Sequence, residues 1–256
     1  MLTVENVSRS YGELKAVDDL SFRVEPGEIF GLLGPNGSGK TTTVKMILGM
    51  LDPDAGSILV NGINPRGDSR GVKSIVGYVS EEAILYSSMT ARDVFELVVS
   101  VRSLDQDVAN DRIHRYLGAF DAGDILEKPM ATLTRGQRQK IEIVAALVHR
   151  PGLLILDEPL SGLDAKSVRV FKEILSLHTE RGGAVLFSTH ILEVAEQLCD
   201  RICVIAAGKR LAIGSPAELR DGASGAGSRL EDVFLRLTDQ EGSIGDIVAG
   251  LREADR

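Results

Sequence analysis

Apolar positions in this chain fall into short unbroken runs, separated by stretches where they recur every three or four residues. The strand-like runs are Ser21–Val24, Glu28–Leu33, Ser57–Val60 and Ile75–Val79, then Leu153–Leu156, Ala184–Ser188 and Arg201–Ala206. Met1-Leu-Thr-Val-Glu5 opens a further strand at once. Helical patterns lie between many of these runs, which predicts an α/β chain with a substantially parallel sheet. The middle is different. From Thr90 to about His149 no strand pattern appears, and Ala91–Val101, Asp107–Phe120 and Arg135–His149 read as helices. An all-helical insert of this kind is expected to form its own lobe. Asp221-Gly-Ala-Ser-Gly-Ala-Gly-Ser228 reads as a flexible linker by composition. Beyond it, Leu230, Val233, Phe234 and Leu237 share one helical face, as do Ile244, Ile247, Val248 and Leu251. The tail therefore reads as two amphipathic helices seeking a surface.

Composition narrows this picture. The chain has 256 residues, of which 43% are hydrophobic, enough for a sizeable core in one or two lobes. A net charge of −8 argues against a dedicated nucleic-acid binder. No apolar run approaches the roughly 20 residues that span a bilayer, and no basic stretch leads into an apolar one at the start. The expectation is a cytoplasmic protein. Cys199 and Cys203 suit a reducing compartment and read as small apolar residues near a helix–strand junction.

Candidate chemistry begins at residue 34. Gly34, Pro35, Asn36, Gly37, Ser38, Gly39, Lys40 and Thr41 form a complete G-x-x-x-x-G-K-S/T phosphate loop. The glycines let the backbone curl so that its N–H groups face the phosphates. Lys40 brings a charge to the β- and γ-phosphates, and Thr41 offers a hydroxyl to a magnesium ion. The apolar run Glu28–Leu33 precedes the loop, and Thr42 opens a helical stretch after it, with its N-terminus toward the phosphates.

Leu153-Leu-Ile-Leu-Asp157-Glu158 is a buried strand ending in two carboxylates. Asp157 is placed for the magnesium shell. Glu158 follows at the carboxyl end of the strand, where open α/β sheets bind ligands, and can take a proton from the water attacking the γ-phosphate. His190 ends the next strand, Phe187-Ser-Thr-His190, and faces the same edge. It can donate to a γ-phosphate oxygen or hold the attacking water.

These motifs, in this order from Val4 to about Leu219, resemble the nucleotide-binding subunit of an ABC transporter. The family's signature pentapeptide, usually LSGGQ, stands here as Leu133-Thr-Arg-Gly-Gln137, and Ser161-Gly-Leu-Asp164 matches its post-carboxylate turn. Tyr11, which alone reads as a partly exposed strand residue, matches the aromatic that stacks on adenine. The resemblance implies a phosphate-loop ATPase core with a mostly parallel sheet, an antiparallel N-terminal β part and an inserted all-helical lobe. Residues 1–220 would form that domain with the lobe at about 90–149, followed by a linker at 221–228 and a helical tail at 229–256. It also implies ATP and Mg2+ as cofactors. A second ATPase subunit is expected, a second copy of the chain before a heterodimer, together with a membrane-spanning permease on another polypeptide and a peripheral place at the inner face of the membrane. Thr134, Gly136 and Gln137 would reach across the dimer to the γ-phosphate, and Asp164 belongs to the same set of nucleotide-site residues.

Two positions depart from the family pattern. Glu81, in Tyr78-Val-Ser-Glu81, stands where the family has a glutamine touching magnesium or water, and Arg135 replaces the first signature glycine. The ending Arg229-Leu-Glu-Asp-Val-Phe-Leu-Arg-Leu-Thr238 resembles that of bacterial drug, antibiotic and polysaccharide exporter subunits. The alternative is a soluble ABC ATPase with no membrane partner, such as an iron–sulfur assembly ATPase.

Overall fold

The computed structural model describes residues 1–82, 85–221, 231, 234 and 235. Two sheets organise the chain. Strands β1 (Leu2–Tyr11), β2 (Leu14–Val24) and β4 (Ala55–Val60) form an antiparallel sheet in the order β2-β1-β4. The larger sheet holds β3 (Ile29–Leu33), β5 (Val76–Val79), β6 (Leu153–Asp157), β7 (Ala184–Thr189), β8 (Arg201–Ala206) and β9 (Lys209–Gly214), in the order β5-β6-β7-β3-β8-β9. All its pairings are parallel except β8 with β9. The mixed fold expected from the sequence is the fold observed.

The unbroken apolar runs are explained by two cores, one on each face of the large sheet. Phe30, Leu32, Leu153, Ile155, Ala184 and Leu186 face a core shared with the antiparallel sheet and with helix α1 (Lys40–Ile47). Phe22 and Phe30 stack there with ring centroids 5.3 Å apart. The alternate residues Leu33, Leu154, Leu156, Val185 and Phe187 face the other core. A strand with helices on one side and a second sheet on the other has no polar face, so its sequence does not alternate.

Between β5 and β6 the chain carries α3 (Ala91–Val101), α4 (Gln106–Ala119), two 3-10 turns and α5 (Arg135–Leu147). Each helix begins on a side-chain cap. Thr90 and Asp93 form a capping box for α3, Asp105 caps α4, and Thr134 with Gln137 forms the box for α5. The other helices are α2 (Ser69–Ile75), α6 (Ala165–Glu180), α7 (Leu192–Leu198) and α8 (Pro216–Asp221). Asp221, assigned from sequence to the linker, is the last residue of α8. The rest of that linker and most of both tail stripes lie outside the described residues. Phe234 is half-buried and packs against the larger core. Among the described residues no helix is long and apolar enough to cross a membrane. Cys199 and Cys203 are free and buried, and burial pushes both thiols up to about 12. They behave as core residues, with Cys199 packed so tightly that a Cβ on Gly31 would fall 2.9 Å from its sulfur.

Candidate nucleotide site

Strand register assembles the site. Leu33 pairs with Thr189, and Asp157 pairs with Ser188. The carboxyl ends of β3, β6 and β7 are therefore level, although 33, 157 and 189 are far apart in sequence. The loop after Leu33, the carboxylates at 157 and 158, and His190 all emerge on one edge.

The loop curls as its glycines allow. Gly37 and Gly39 have φ of 80° and 104°, values open to glycine at little cost. At Gly39 a Cβ would also strike the Ala16 carbonyl oxygen, at 2.4 Å. Lys40 is buried and donates from Nζ to the carbonyl oxygens of Gly34 (2.7 Å) and Pro35 (3.1 Å). Burial lowers its pKa, while the negative charges of Glu158, Asp157 and Glu81 act in the opposite direction. Gly39, at the N-cap of α1, supplies no side-chain cap, so the first-turn N–H groups face the cleft without a side-chain acceptor. Ser38 Oγ is buried with no hydrogen-bond partner. A cradle of N–H groups with an orphaned hydroxyl fits an anion of phosphate shape.

Asp157 is almost wholly buried. Its Oδ2 accepts from Thr41 Oγ1 at 3.0 Å and its Oδ1 from Ser188 Oγ at 2.7 Å. Glu158 adopts a φ of 48°, uncommon for a residue with a Cβ, while its N–H donates to the Ser188 carbonyl at 3.0 Å. The carboxylate is held at three points. Oε2 accepts from Thr189 Oγ1 at 3.0 Å, and Oε1 accepts from the His190 N–H at 2.7 Å and lies 2.6 Å from His190 Nδ1. Backbone strain at such a position is commonly stored where a side chain must be aimed. The sequence reading missed Ser188 and Thr189. Its available signal was two hydroxyl residues, both fully buried, ending an apolar strand.

A cleft of about 540 Å³ joins these groups. Asn36, Gly37, Lys40, Thr41 and Thr42 line its floor, Tyr11 and Leu14 one wall, and Glu81, Asp157 and Glu158 the other. Tyr11 and Leu14 are 48% and 68% exposed, an apolar surface beside a phosphate cradle. The Arg9 guanidinium lies 5.5 Å from the Tyr11 ring centroid.

Thr134, Gly136, Gln137 and Asp164 do not line this cleft. Thr134 Oγ1 accepts from the Gln137 N–H and Gln137 Oε1 from the Thr134 N–H, at 3.2 and 3.0 Å. Gly136 lies against the 161–164 turn, where a Cβ would fall 2.3 Å from the Gly162 carbonyl oxygen. Asp164 caps α6 through the Ser167 N–H at 2.8 Å. That bond, the Ser167 hydroxyl and Lys140 lower its pKa to about 2. The second group of expected site residues thus forms its own unit.

Such a cradle, with a strand-end carboxylate pair and a helical insert, defines a phosphate-loop ATPase. The ABC transporter family model matches residues 17–161, and the chain belongs to that family as an ATP-binding, ATP-hydrolysing subunit. It is 39% identical over 217 residues to the Nod factor export ATP-binding protein I of Paraburkholderia xenovorans, covering 84% of this chain and 71% of that one. It is 34% identical over 254 residues to the linearmycin resistance ATP-binding protein LnrL of Bacillus subtilis, covering 99% and 77%. A solved ATP-binding subunit of an ABC transporter superposes with a TM-score of 0.88 at 30% identity, covering 93% of this chain and 99% of that one.

Proposed function

We propose that two copies of this chain close head to tail around ATP and drive export through a separate membrane-spanning permease. The observation that carries this is the separation just described. One face holds a cleft with every group needed to seat a triphosphate, while the capped N-terminus of α5 lies apart from it. A second copy, turned end for end, brings Thr134, Gly136 and Gln137 to the open side of the cleft, where the N-terminus of α5 favours an anion.

In this reading Tyr11 stacks on the adenine. The 34–41 loop with Thr42 holds the phosphates, and Lys40 turns from its two carbonyls to the β/γ oxygens. Thr41 and Asp157 fit magnesium as a hydroxyl and a buried carboxylate 3.0 Å apart. Such an ion keeps waters and phosphates as its other ligands. Glu158 takes the proton of the attacking water, and Thr189 and His190 fix its direction. His190, half-exposed, turns its other ring nitrogen to the γ-phosphate.

Glu81 places a negative charge at the phosphate end of the cleft, where repulsion grows as the site closes and excludes water. It restrains hydrolysis in the free subunit. Next to it, a groove of about 310 Å³ runs between the helical lobe and the sheet, with Met50, Tyr86 and Leu97 exposed along it. That groove is the permease docking surface and holds the chain at the inner face of the membrane. The relatives named for Nod factor export and linearmycin resistance support the export direction.

The test is Glu158→Gln. ATP affinity should persist and hydrolysis should fall by roughly 10²–10⁴-fold. Size-exclusion chromatography in ATP and magnesium should then show a trapped dimer. A monomer under those conditions, or a variant hydrolysing at the wild-type rate, overturns the reading.

A further inference from the structure

Helix α5 carries a carboxylate that the nucleotide chemistry does not use. Glu142 stands about two turns along α5 from Thr134 and reaches to the loop that follows β5. Its Oε1 accepts from the Ser80 N–H at 3.2 Å and lies 2.6 Å from Ser80 Oγ. Its Oε2 is buried and without a partner. Burial raises the Glu142 pKa, and the two bonds from Ser80 oppose that shift. A half-satisfied buried carboxylate is costly to keep, and Glu142 spends its contacts on a single residue.

That residue adjoins Glu81. Glu81 lines the nucleotide cleft, and its charge bears on both Lys40 and Tyr78. Ser80 Oγ also lies 2.7 Å from the Glu82 carbonyl oxygen. A serine hydroxyl has one hydrogen, so it serves Glu142 or Glu82, not both. The geometry therefore offers two arrangements. In both the Ser80 N–H ties the loop to α5; the hydroxyl either adds a second bond to Glu142 or closes the loop upon itself.

Resting on the reading of Glu81 as a restraint, we propose that Glu142 is a positioning residue which, through Ser80, holds Glu81 over the phosphate end of the cleft. The restraint then stays in place while α5 keeps its position against the sheet. A shift of the helical lobe parts Glu142 from Ser80, passes the hydroxyl to Glu82 and lets Glu81 leave the phosphates. The helix that presents Thr134 and Gln137 to a second subunit thereby also governs the charge beside the nucleotide.

The test uses the full chain, with steady-state ATPase rates and the affinity for a fluorescent ATP analogue measured together. Glu81→Gln should raise kcat by about threefold to tenfold through loss of the like charge. Glu142→Leu should raise it to a similar degree and Ser80→Ala, which keeps the N–H bond to Glu142, part of the way, with analogue affinity within about twofold of wild type, since the phosphate loop and Tyr11 are untouched. Glu142→Gln keeps an acceptor oxygen for Ser80 and should stay near the wild-type rate. The double variant Glu81→Gln/Glu142→Leu should be no faster than Glu81→Gln alone. General damage to the lobe would lower the rate instead. If Glu142→Leu fails to fold, Ser80→Ala carries the prediction through its partial rise. A faster Glu81→Gln beside unchanged or slower Glu142→Leu and Ser80→Ala overturns the tie and leaves the Glu81 reading standing, as do effects that multiply in the double variant. A Glu81→Gln no faster than wild type overturns both.

Discussion

Lys40 shows how one side chain serves two states. Its ammonium is buried and donates to two loop carbonyls, which holds the curl of the loop. In the ATP complex proposed above the same charge turns to the β/γ oxygens, while the nearby carboxylates act against the lowering of its pKa by burial. Lys40→Ala removes both roles. Each charge-assisted bond contributes about 1.5–3 kcal/mol, so ATP affinity should fall by about 10²-fold or more in an analogue titration. An unchanged far-UV spectrum would confine the loss to the loop. Near-normal affinity would mean that the loop is not the phosphate cradle.

Among the elements, strands buried on both faces were the most legible, since β3, β6 and β7 read as continuous apolar runs ending in polar chemistry. The helical lobe was legible too, because each helix starts on a cap that the sequence spells out. What escaped has local causes. β2 runs from Leu14, yet only Ser21–Val24 reads as strand. Register shifts along β1, with positive φ at Asn6 and Asp19, break the alternation that a half-buried strand otherwise shows. β9 is an edge strand whose first three residues are exposed, so it carries no apolar run. At the site, the loop and the carboxylates followed from residue type. The tie from Glu142 to Ser80 joins residues 62 apart by a register no pattern reveals.

In the dimer proposed above, the α5 box acts both as a helix cap and as a nucleotide contact. Thr134→Ala should cost about 1 kcal/mol and lower the melting temperature by about 2–4 °C. Analogue affinity should not change, because Thr134 is outside the cleft of its own chain. If the proposed dimer holds, hydrolysis should drop by about tenfold or more, through loss of the contact it gives Thr134 with the γ-phosphate held by the second copy. Full hydrolysis with the lowered melting point would reduce Thr134 to a cap alone.

For the whole molecule the open question is what the tail covers. Phe234 already packs on the core of its own chain, so part of the tail's contribution is intramolecular. The sequence spaces Ile244, Ile247, Val248 and Leu251 as an apolar stripe, whose expected cover is a second copy in the dimer proposed above. The two contributions separate by mutation. Phe234→Ala should lower the melting temperature by a few degrees, as expected for about 1 kcal/mol lost from a half-buried side chain, and leave dimerisation alone. Deleting residues 229–256 should do the same and, if the stripe expected from the sequence joins the dimer, also weaken the ATP-trapped dimer of the Glu158→Gln background by about tenfold in sedimentation equilibrium, a loss of about 1.4 kcal/mol. ATP affinity should hold in both, because every residue lining the cleft lies between positions 11 and 207. A deletion that loses ATP binding would make the tail part of the catalytic core. A deletion that matches Phe234→Ala in every measurement would confine its action to one chain.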